Sequence, residues 1–553
     1  MSWCISKTLL SRFTERRVVS FNTIRKLSIN LKLRQSYQPK AKISCLEGGG
    51  DPLGLVLGLY SRHNDPYENR NIILTEAAER YNKFSNGKLL EILQLAGPVP
   101  KLGETRVFYG LEPFFTAVAV VGLGDECGSY NEVEQIDEGK ETIREAAAAG
   151  CQALQKIKIS RIYVESFGHA ESAAEGSAMG VWVFQDLKNE DRRNHVIPKL
   201  ELHDDKDYTG WQIGLEKAAA QNLARQLCET PANLLTPTAF AQSSVGVLCK
   251  AGVNVSVRVQ AWAKIKKLNA FLAATKGSCE PPIFMEISYY GCDPNVCPII
   301  LVGKGVTFDS GGLNLKDCGD MQHQRGEMSG AACVVAACKA ASALRLPLNI
   351  RGLIPLCENM LGANSMRPGD VVTAQNGKTI LIENTDYDGR LIMADALCHA
   401  RTYNPKYVID IGTLDVDTQR CMGSAATAVF TNSEKLWEQI RVASIHTGDR
   451  IWRFPLWNFF SQAISHDCVA DVRNHSIQFG GSCRAAAFLR EFVPESEWIH
   501  LDNRGVAQTD GNAHSYLRKG MTGRPTRTLI EFLAQLACNS SQYESDQKIV
   551  NKC

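Results

Sequence analysis

The sequence predicts an α/β protein of two domains, a smaller one at the N-terminus and a larger one after it. Three observations predict this. The chain has 553 residues, and domains run to roughly 100–200 residues each. Short apolar runs of strand length alternate with helix-like stretches, first over about 47–200 and again from about 216 to 535, which is the pattern of sheets with helical crossovers. A polar, charged stretch at 201–215, containing Asp204-Asp205-Lys206-Asp207, separates the two series. The expected division is therefore 47–205 and 206–535, with a basic leader over 1–44 and a polar tail over 536–553.

Residues 1–44 carry Lys7, Arg12, Arg16, Arg17, Arg25, Lys26, Lys32, Arg34, Lys40 and Lys42 against a single acid, Glu15. Ile5, Leu9, Leu10 and Phe13 fall at helical spacing, so a short amphipathic helix with a basic face is predicted. This is the composition of a mitochondrial transit peptide, and the long apolar stretch of a secretory signal is absent. The expected location is the mitochondrial matrix. In the first domain Leu55–Tyr60, Ala117–Gly122 and Ile162–Val164 read as strands, and the Ala-rich 141–157 as a helix. In the second, 216–228 reads as a helix ending at the turn Glu229-Thr230-Pro231-Ala232-Asn233. Ile299–Val302 and Tyr407–Ile411 read as buried strands, and 330–343, rich in Ala and other small residues, as a closely packed helix.

Composition excludes several function classes. Lys+Arg number 61 and Asp+Glu 59, so the net charge is +2 and a broad nucleic-acid footprint is not expected. No apolar run reaches the ~18 residues that span a bilayer. The 19 cysteines are odd in number, scattered, and form no Cys-x-x-Cys pair, which suits free thiols in a reducing compartment. Gly377-Lys378-Thr379 resembles the end of a phosphate loop, but Val372 stands where that loop needs glycine.

Two segments concentrate chemistry. In Val302-Gly303-Lys304-Gly305-Val306-Thr307-Phe308-Asp309-Ser310-Gly311-Gly312-Leu313-Asn314-Leu315-Lys316 an apolar strand runs into a Gly-rich loop bearing two lysines and a carboxylate. Sites in α/β sheets lie where strands end. In Glu383-Asn384-Thr385-Asp386-Tyr387-Asp388-Gly389-Arg390 three carboxylates and an arginine precede the helix-like run 391–400. Crowded carboxylates repel unless cations compensate them, and oxygen-rich sets suit Mg, Mn and Zn. Taken singly, each segment also reads as a solvated acidic turn or a surface loop.

Together, and in this order, these segments resemble the leucyl aminopeptidase family of dizinc exopeptidases. The resemblance extends over about 223–533 through Glu229–Pro237, Asp410-Ile411-Gly412-Thr413-Leu414, Gly448-Asp449-Arg450-Ile451-Trp452-Arg453 and Tyr516–Arg527. It implies a larger catalytic domain with a mixed central sheet flanked by helices. It implies two divalent metal ions, Zn or Mn, one held by Asp309, Asp386 and Asp388, the other by Lys304, Asp309, Glu327 and Asp388. Lys304 would have to be neutral to act as a ligand, far from its usual pKa near ~10.4. A water activated between the metals would attack the peptide, and the free α-amine of the substrate would be held there. Lys316 would stabilise the oxyanion, and Arg390 would hold a bicarbonate ion. The substrate pocket would include Gln324, Thr413, Leu414 and Asp415, the substrates would be peptides, and the assembly would be a homohexamer. The basic leader is similar to that of the insect sperm leucyl aminopeptidase group, whose members are associated with mitochondria.

The sequence departs from the family pattern at several of these positions. Glu327 stands where the family usually has Asp, and Asp388 where it usually has Glu. Each exchange moves a carboxylate by about one C–C bond, ~1.5 Å, whereas metal–ligand distances tolerate only about ±0.2 Å. Gln324 replaces an apolar Met, Asp415-Val416 replaces Thr-Gly, and Asn503-Arg504 is atypical. Two functions compete: a metalloaminopeptidase with weakened or shifted metal binding, and a catalytically impaired structural protein of sperm mitochondria that keeps the fold and the hexamer. DNA binding, found in some bacterial relatives, is disfavoured by the charge balance.

Overall fold

The computed structural model describes residues 52–61, 72–126, 128–193, 196–204, 207–465, 469–476 and 480–550. The basic leader lies outside them. The N-terminal domain is built on a six-stranded sheet. Leu53–Ser61 pairs in parallel with Ala117–Gly122 and Arg161–Val164, and the latter in parallel with Lys199–Leu202. Thr105–Tyr109 and Ile72–Leu74 add antiparallel edges. Leu55, Leu57 and Leu59 face one apolar cluster and Val56 another. The sheet is thus covered on both faces, as the continuous apolar run demands. The expected helix is present as Glu138–Lys156, begun by the Asp137 carboxylate accepting from Lys140 N.

The second domain holds a nine-stranded mixed sheet. At its centre Glu497–Asp502, Tyr407–Gly412, Ile299–Gly303 and Asn349–Asn359 lie side by side in parallel. Thr427–Thr431 joins Glu497–Asp502 in antiparallel sense. Asn254–Val259 and Ile283–Tyr290 close the other side antiparallel. Along the central strands alternate residues feed two cores. Ile299, Leu301, Ile409 and Ile411 face one, and Ile300, Val302 and Val408 the other. Because the central strands run the same way, their carboxyl ends share one edge. Gly303 is opposite Ile411 and Gly412 opposite Asp502, so the residues that follow, Lys304, Thr413 and the Asn503-Arg504 pair, are delivered to one place.

Helix Ser329–Ala343 packs across this edge with Gly330–Ala341 buried throughout. A Cβ on Gly330 would stand 2.0 Å from the Ile411 carbonyl oxygen; only glycine allows that approach. Helix Tyr208–Glu229 starts two turns earlier than the sequence suggests. The Asp207 carboxylate accepts from Gly210 N at 2.8 Å, and Trp211 is buried in the N-terminal domain's core. The helix therefore runs from that domain into the second. The last helix, Thr526–Val550, continues through the polar stretch from 536. The described cysteines are free thiols, as expected. No helix among the described residues is long and apolar enough to cross a membrane.

Candidate active site

Lys304 leaves the end of Ile299–Gly303 and is buried. Its Nζ donates to the Thr413 carbonyl at 2.7 Å and to Thr413 Oγ1 at 3.2 Å, and it pairs with Glu327 Oε2. Gly389 makes room for its stem: a Cβ there would meet Lys304 Cε at 2.6 Å. Burial pushes the amine's pKa down, but Glu327, Asp388 and Asp309 outweigh it and hold the pKa above the ordinary lysine value.

Asp309 ends strand Gly305–Asp309. Its Oδ1 accepts from Gly311 N and Asn359 Nδ2, both at 2.9 Å, and its Oδ2 faces Lys316 Nζ at 3.1 Å. Burial raises its pKa; Lys316 opposes the rise and Asp386 adds to it. Lys316 also contacts Asp386 Oδ1, so its ammonium bridges two carboxylates. Burial would lower the Lys316 pKa, but Asp309, Glu327 and Asp386 raise it further.

Asp388 opens helix Asp388–Ala400 and is 1% exposed. Neither of its carboxylate oxygens has a hydrogen-bond partner. Burial first, then Asp309, drive its pKa well above the usual carboxylate range against the pull of Lys304. A buried carboxylate with both oxygens orphaned is costly, and a cation is the group that relieves it. Asp309, Asp386 and Asp388, the set expected for one metal, therefore fit a cation.

The set expected for the other metal is differently engaged. Glu327, in the short 3₁₀ turn Gln324–Met328, is buried. Its Oε2 takes Lys304 and Thr413 Oγ1 (2.5 Å), and its Oε1 takes Arg504 Nη1. Burial opposes ionisation, yet Lys304, Arg504 and Lys316 together hold its pKa down at about 2.

Arg390 is buried on the same helix. Its Nη2 donates to Asp415 Oδ2 at 2.5 Å and its Nη1 to the Asn474 carbonyl at 2.6 Å. Its guanidinium lies over the Tyr387 ring, 4.3 Å from the centroid. Nε has no partner. Burial lowers its pKa and Asp415 opposes that.

A cavity of about 130 Å³ opens beside Glu327, walled by His323, Gln324, Thr413, Gln419, Arg504, Ala507, Gln508 and Met521. Of the expected pocket residues, Gln324 and Thr413 line it. Leu414 packs instead into the core cluster under the sheet, and Asp415 turns to Arg390. A larger cleft of about 500 Å³ lies at Phe184, Pro231, Ala232, Asn233 and Phe308. Its carboxylate, Glu229, is committed to Arg325 (2.9 Å) and Met521 N (2.6 Å).

All seven expected ligand and catalytic residues, Lys304, Asp309, Lys316, Glu327, Asp386, Asp388 and Arg390, meet at the carboxyl edge of the sheet. Sequence reasoning did not include three groups that shape the site. Asn359 holds Asp309. Thr385 Oγ1 donates to Gly311 O at 2.6 Å and accepts from Asn314 N at 2.9 Å, tying the Gly-rich loop to the acidic motif. Arg504 holds Glu327; its unusual Asn503-Arg504 setting was the one signal available.

Comparison with known proteins places this geometry in context. Residues 222–530 match the catalytic domain of the cytosol aminopeptidase family, and residues 56–191 match the N-terminal domain of that family. The chain is 47% identical to the cytosol aminopeptidase of Bos taurus over 493 residues, 88% of this chain and 93% of that protein. It is 42% identical to that of Xenopus tropicalis over 525 residues, 94% of this chain and 99% of that protein. Among solved structures it is similar to the bottromycin maturation enzyme BotP in complex with Mn. There the TM-score is 0.75 and the identity 29%, with 88% of this chain and 100% of that one covered.

Proposed function

The chain belongs to the cytosol aminopeptidase family, and on that premise we propose that it is a metal-dependent exopeptidase that releases N-terminal residues from peptides, with activity reduced by its altered ligands. The observation that carries this reading is the buried, unpartnered carboxylate of Asp388 facing Asp309 and Asp386. Asp309, Asp386 and Asp388 would hold a divalent ion, Mn or Zn, whose chemistry is to polarise a carbonyl and to lower the pKa of water toward neutrality.

The chain's own residues supply the rest. Lys316, charged and pinned between Asp309 and Asp386, presents a cationic donor to the negative charge that develops on the scissile carbonyl oxygen. Asn359 and Gly311 N fix the Asp309 carboxylate, so the cluster is preorganised before substrate arrives. Arg390 is held stiff by Asp415, Asn474 and Tyr387, so a bicarbonate there would have to compete with the Asp415 carboxylate. The 130 Å³ cavity is walled by Gln324, Gln419, Gln508 and Arg504, so it favours a small or polar N-terminal side chain over leucine.

The test is turnover of aminoacyl amides by the purified chain with and without added Mn or Zn. Activity should require the metal and fall by more than about 100-fold on Asp388→Ala, beyond the 10–100-fold typical of groups that merely support a ligand. Metal-independent turnover would overturn the reading. A second reading, a structural protein with impaired catalysis, is favoured by the Arg504–Glu327 contact and by Asp415 at Arg390; a chain that assembles but turns over nothing at any metal concentration would support it. The basic composition of 1–44 supports delivery to the mitochondrial matrix, and the resemblance supports a homohexamer. Import into isolated mitochondria and the mass in solution check these, and a cytosolic monomer would contradict both.

A further inference from the structure

Four carboxylates, Asp309, Glu327, Asp386 and Asp388, meet at this edge of the sheet. Three cations of the chain itself already stand among them. Lys316 bridges Asp309 and Asp386, Lys304 holds Glu327 Oε2, and Arg504 holds Glu327 Oε1. A second dication liganded by Glu327 would have to sit beside the Arg504 guanidinium, and desolvated charge of one sign is strongly disfavoured.

Geometry says which position is lost. Asp388 has two free oxygens. Glu327 has none, because Lys304, Thr413 Oγ1 and Arg504 occupy both. Arg504 is also not a loose surface group. It follows strand Glu497–Asp502, its backbone N donates to Asp502 Oδ1 at 3.0 Å, and its side chain is 21% exposed. The guanidinium fork suits a fixed pairing with a carboxylate. An ion liganded by Glu327 would have to break that pairing and sit beside the displaced guanidinium.

We propose that Arg504 is a built-in cation standing in place of the second metal, so that this chain binds one divalent ion, at Asp309, Asp386 and Asp388. The inference rests on the metal-dependent reading above and adds its stoichiometry. Lys304 then ties Glu327 to Thr413, and the Glu327 carboxylate spans Lys304 and Arg504 together.

Manganese provides the probe. The purified full chain is titrated with Mn²⁺, bound metal is counted by mass spectrometry, and the electron paramagnetic resonance spectrum separates an isolated ion from an exchange-coupled pair. The expected result is one ion per chain with an uncoupled spectrum. Arg504→Met, which keeps the bulk and removes the charge, should raise this to two with a coupled spectrum. Arg504→Lys, which keeps the charge, should remain at one, and it serves with the wild type if the Met variant does not fold. Two coupled ions in the wild type overturn the inference and leave the proposed function standing. So does a folded Arg504→Met chain that still binds one. No bound ion in the wild type overturns the inference and the proposed function together.

Discussion

Asp415 answers to two neighbours. Its Oδ1 accepts from Asp417 N at 3.0 Å and caps helix Val416–Met422, while its Oδ2 takes Arg390 at 2.5 Å. An external anion at Arg390 must therefore compete with a carboxylate already in place. Asp415→Asn separates the two roles, since Asn caps a helix as well as Asp does but carries no charge. Initial rates measured across a bicarbonate titration should be flat for the wild type. In the variant they should rise about tenfold, the equivalent of one charge-assisted hydrogen bond regained. A flat response in both would show that Arg390 has no use for an anion. At this scale the sequence was informative about which residue types gather and silent about which of them pair. Glu327 and Arg504 are 177 residues apart, and no local pattern links them.

Helix Ser329–Ala343 shows what an element contributes to a site it barely touches. Ala331 N donates to the Lys304 carbonyl at 2.9 Å, and Lys304 N to the Ile411 carbonyl at 2.9 Å. The helix, the lysine and the neighbouring strand are thus locked together. Gly330→Ala would place a Cβ 2.0 Å from Ile411 O and 3.0 Å from Lys304 N, both backbone atoms that cannot swing aside. The overpacking should cost at least about 1–3 kcal/mol, read as a lower urea midpoint. An unchanged midpoint would mean that the helix can slide. The small-residue composition of this segment announced close packing. Helix Tyr208–Glu229 was less legible, because its capping Asp207 sits in a run of acids that reads as a boundary.

At the scale of the whole molecule, a buried ion network joins the two domains. Glu175 takes Arg144 at 2.6 Å and Arg527 at 2.7 Å, and Arg144 also takes Glu141 at 2.9 Å. Arg527→Ala leaves part of this charge unpaired and should cost about 3–5 kcal/mol, measured by equilibrium unfolding; a loss under about 1 kcal/mol would mean that the network is solvated. Its pH dependence follows from three groups. Burial opposes ionisation of Glu175 and Glu141. Arg527 and Arg144 hold the first, and His514 and Arg144 the second, at about 2. Their contribution is present above the ordinary carboxylate pKa of ~4.3 and is lost as pH falls toward about 2. Burial likewise opposes the His514 imidazolium, but Glu141 and Glu145 raise its pKa to about 9. That contribution is present below ~6.5 and is lost as pH rises through about 9. Unfolding measured across pH should show both losses, and His514→Gln should abolish the alkaline one.

The sequence by itself determined the family, the two-domain α/β alternation and the residue types of the site, because these reside in local periodicity and in short contiguous segments such as Lys304–Lys316 and Glu383–Arg390. It flagged Asn503-Arg504 and Asp415-Val416 as unusual without saying what they do. Only the tertiary structure decided that Arg504 is spent on Glu327, that Asp415 is spent on Arg390, and that both oxygens of Asp388 are left without a hydrogen-bond partner. The reason is the order of the parallel strands at the sheet centre. That order brings together chain ends near 304, 413 and 504, and it depends on long-range pairing that no single segment encodes.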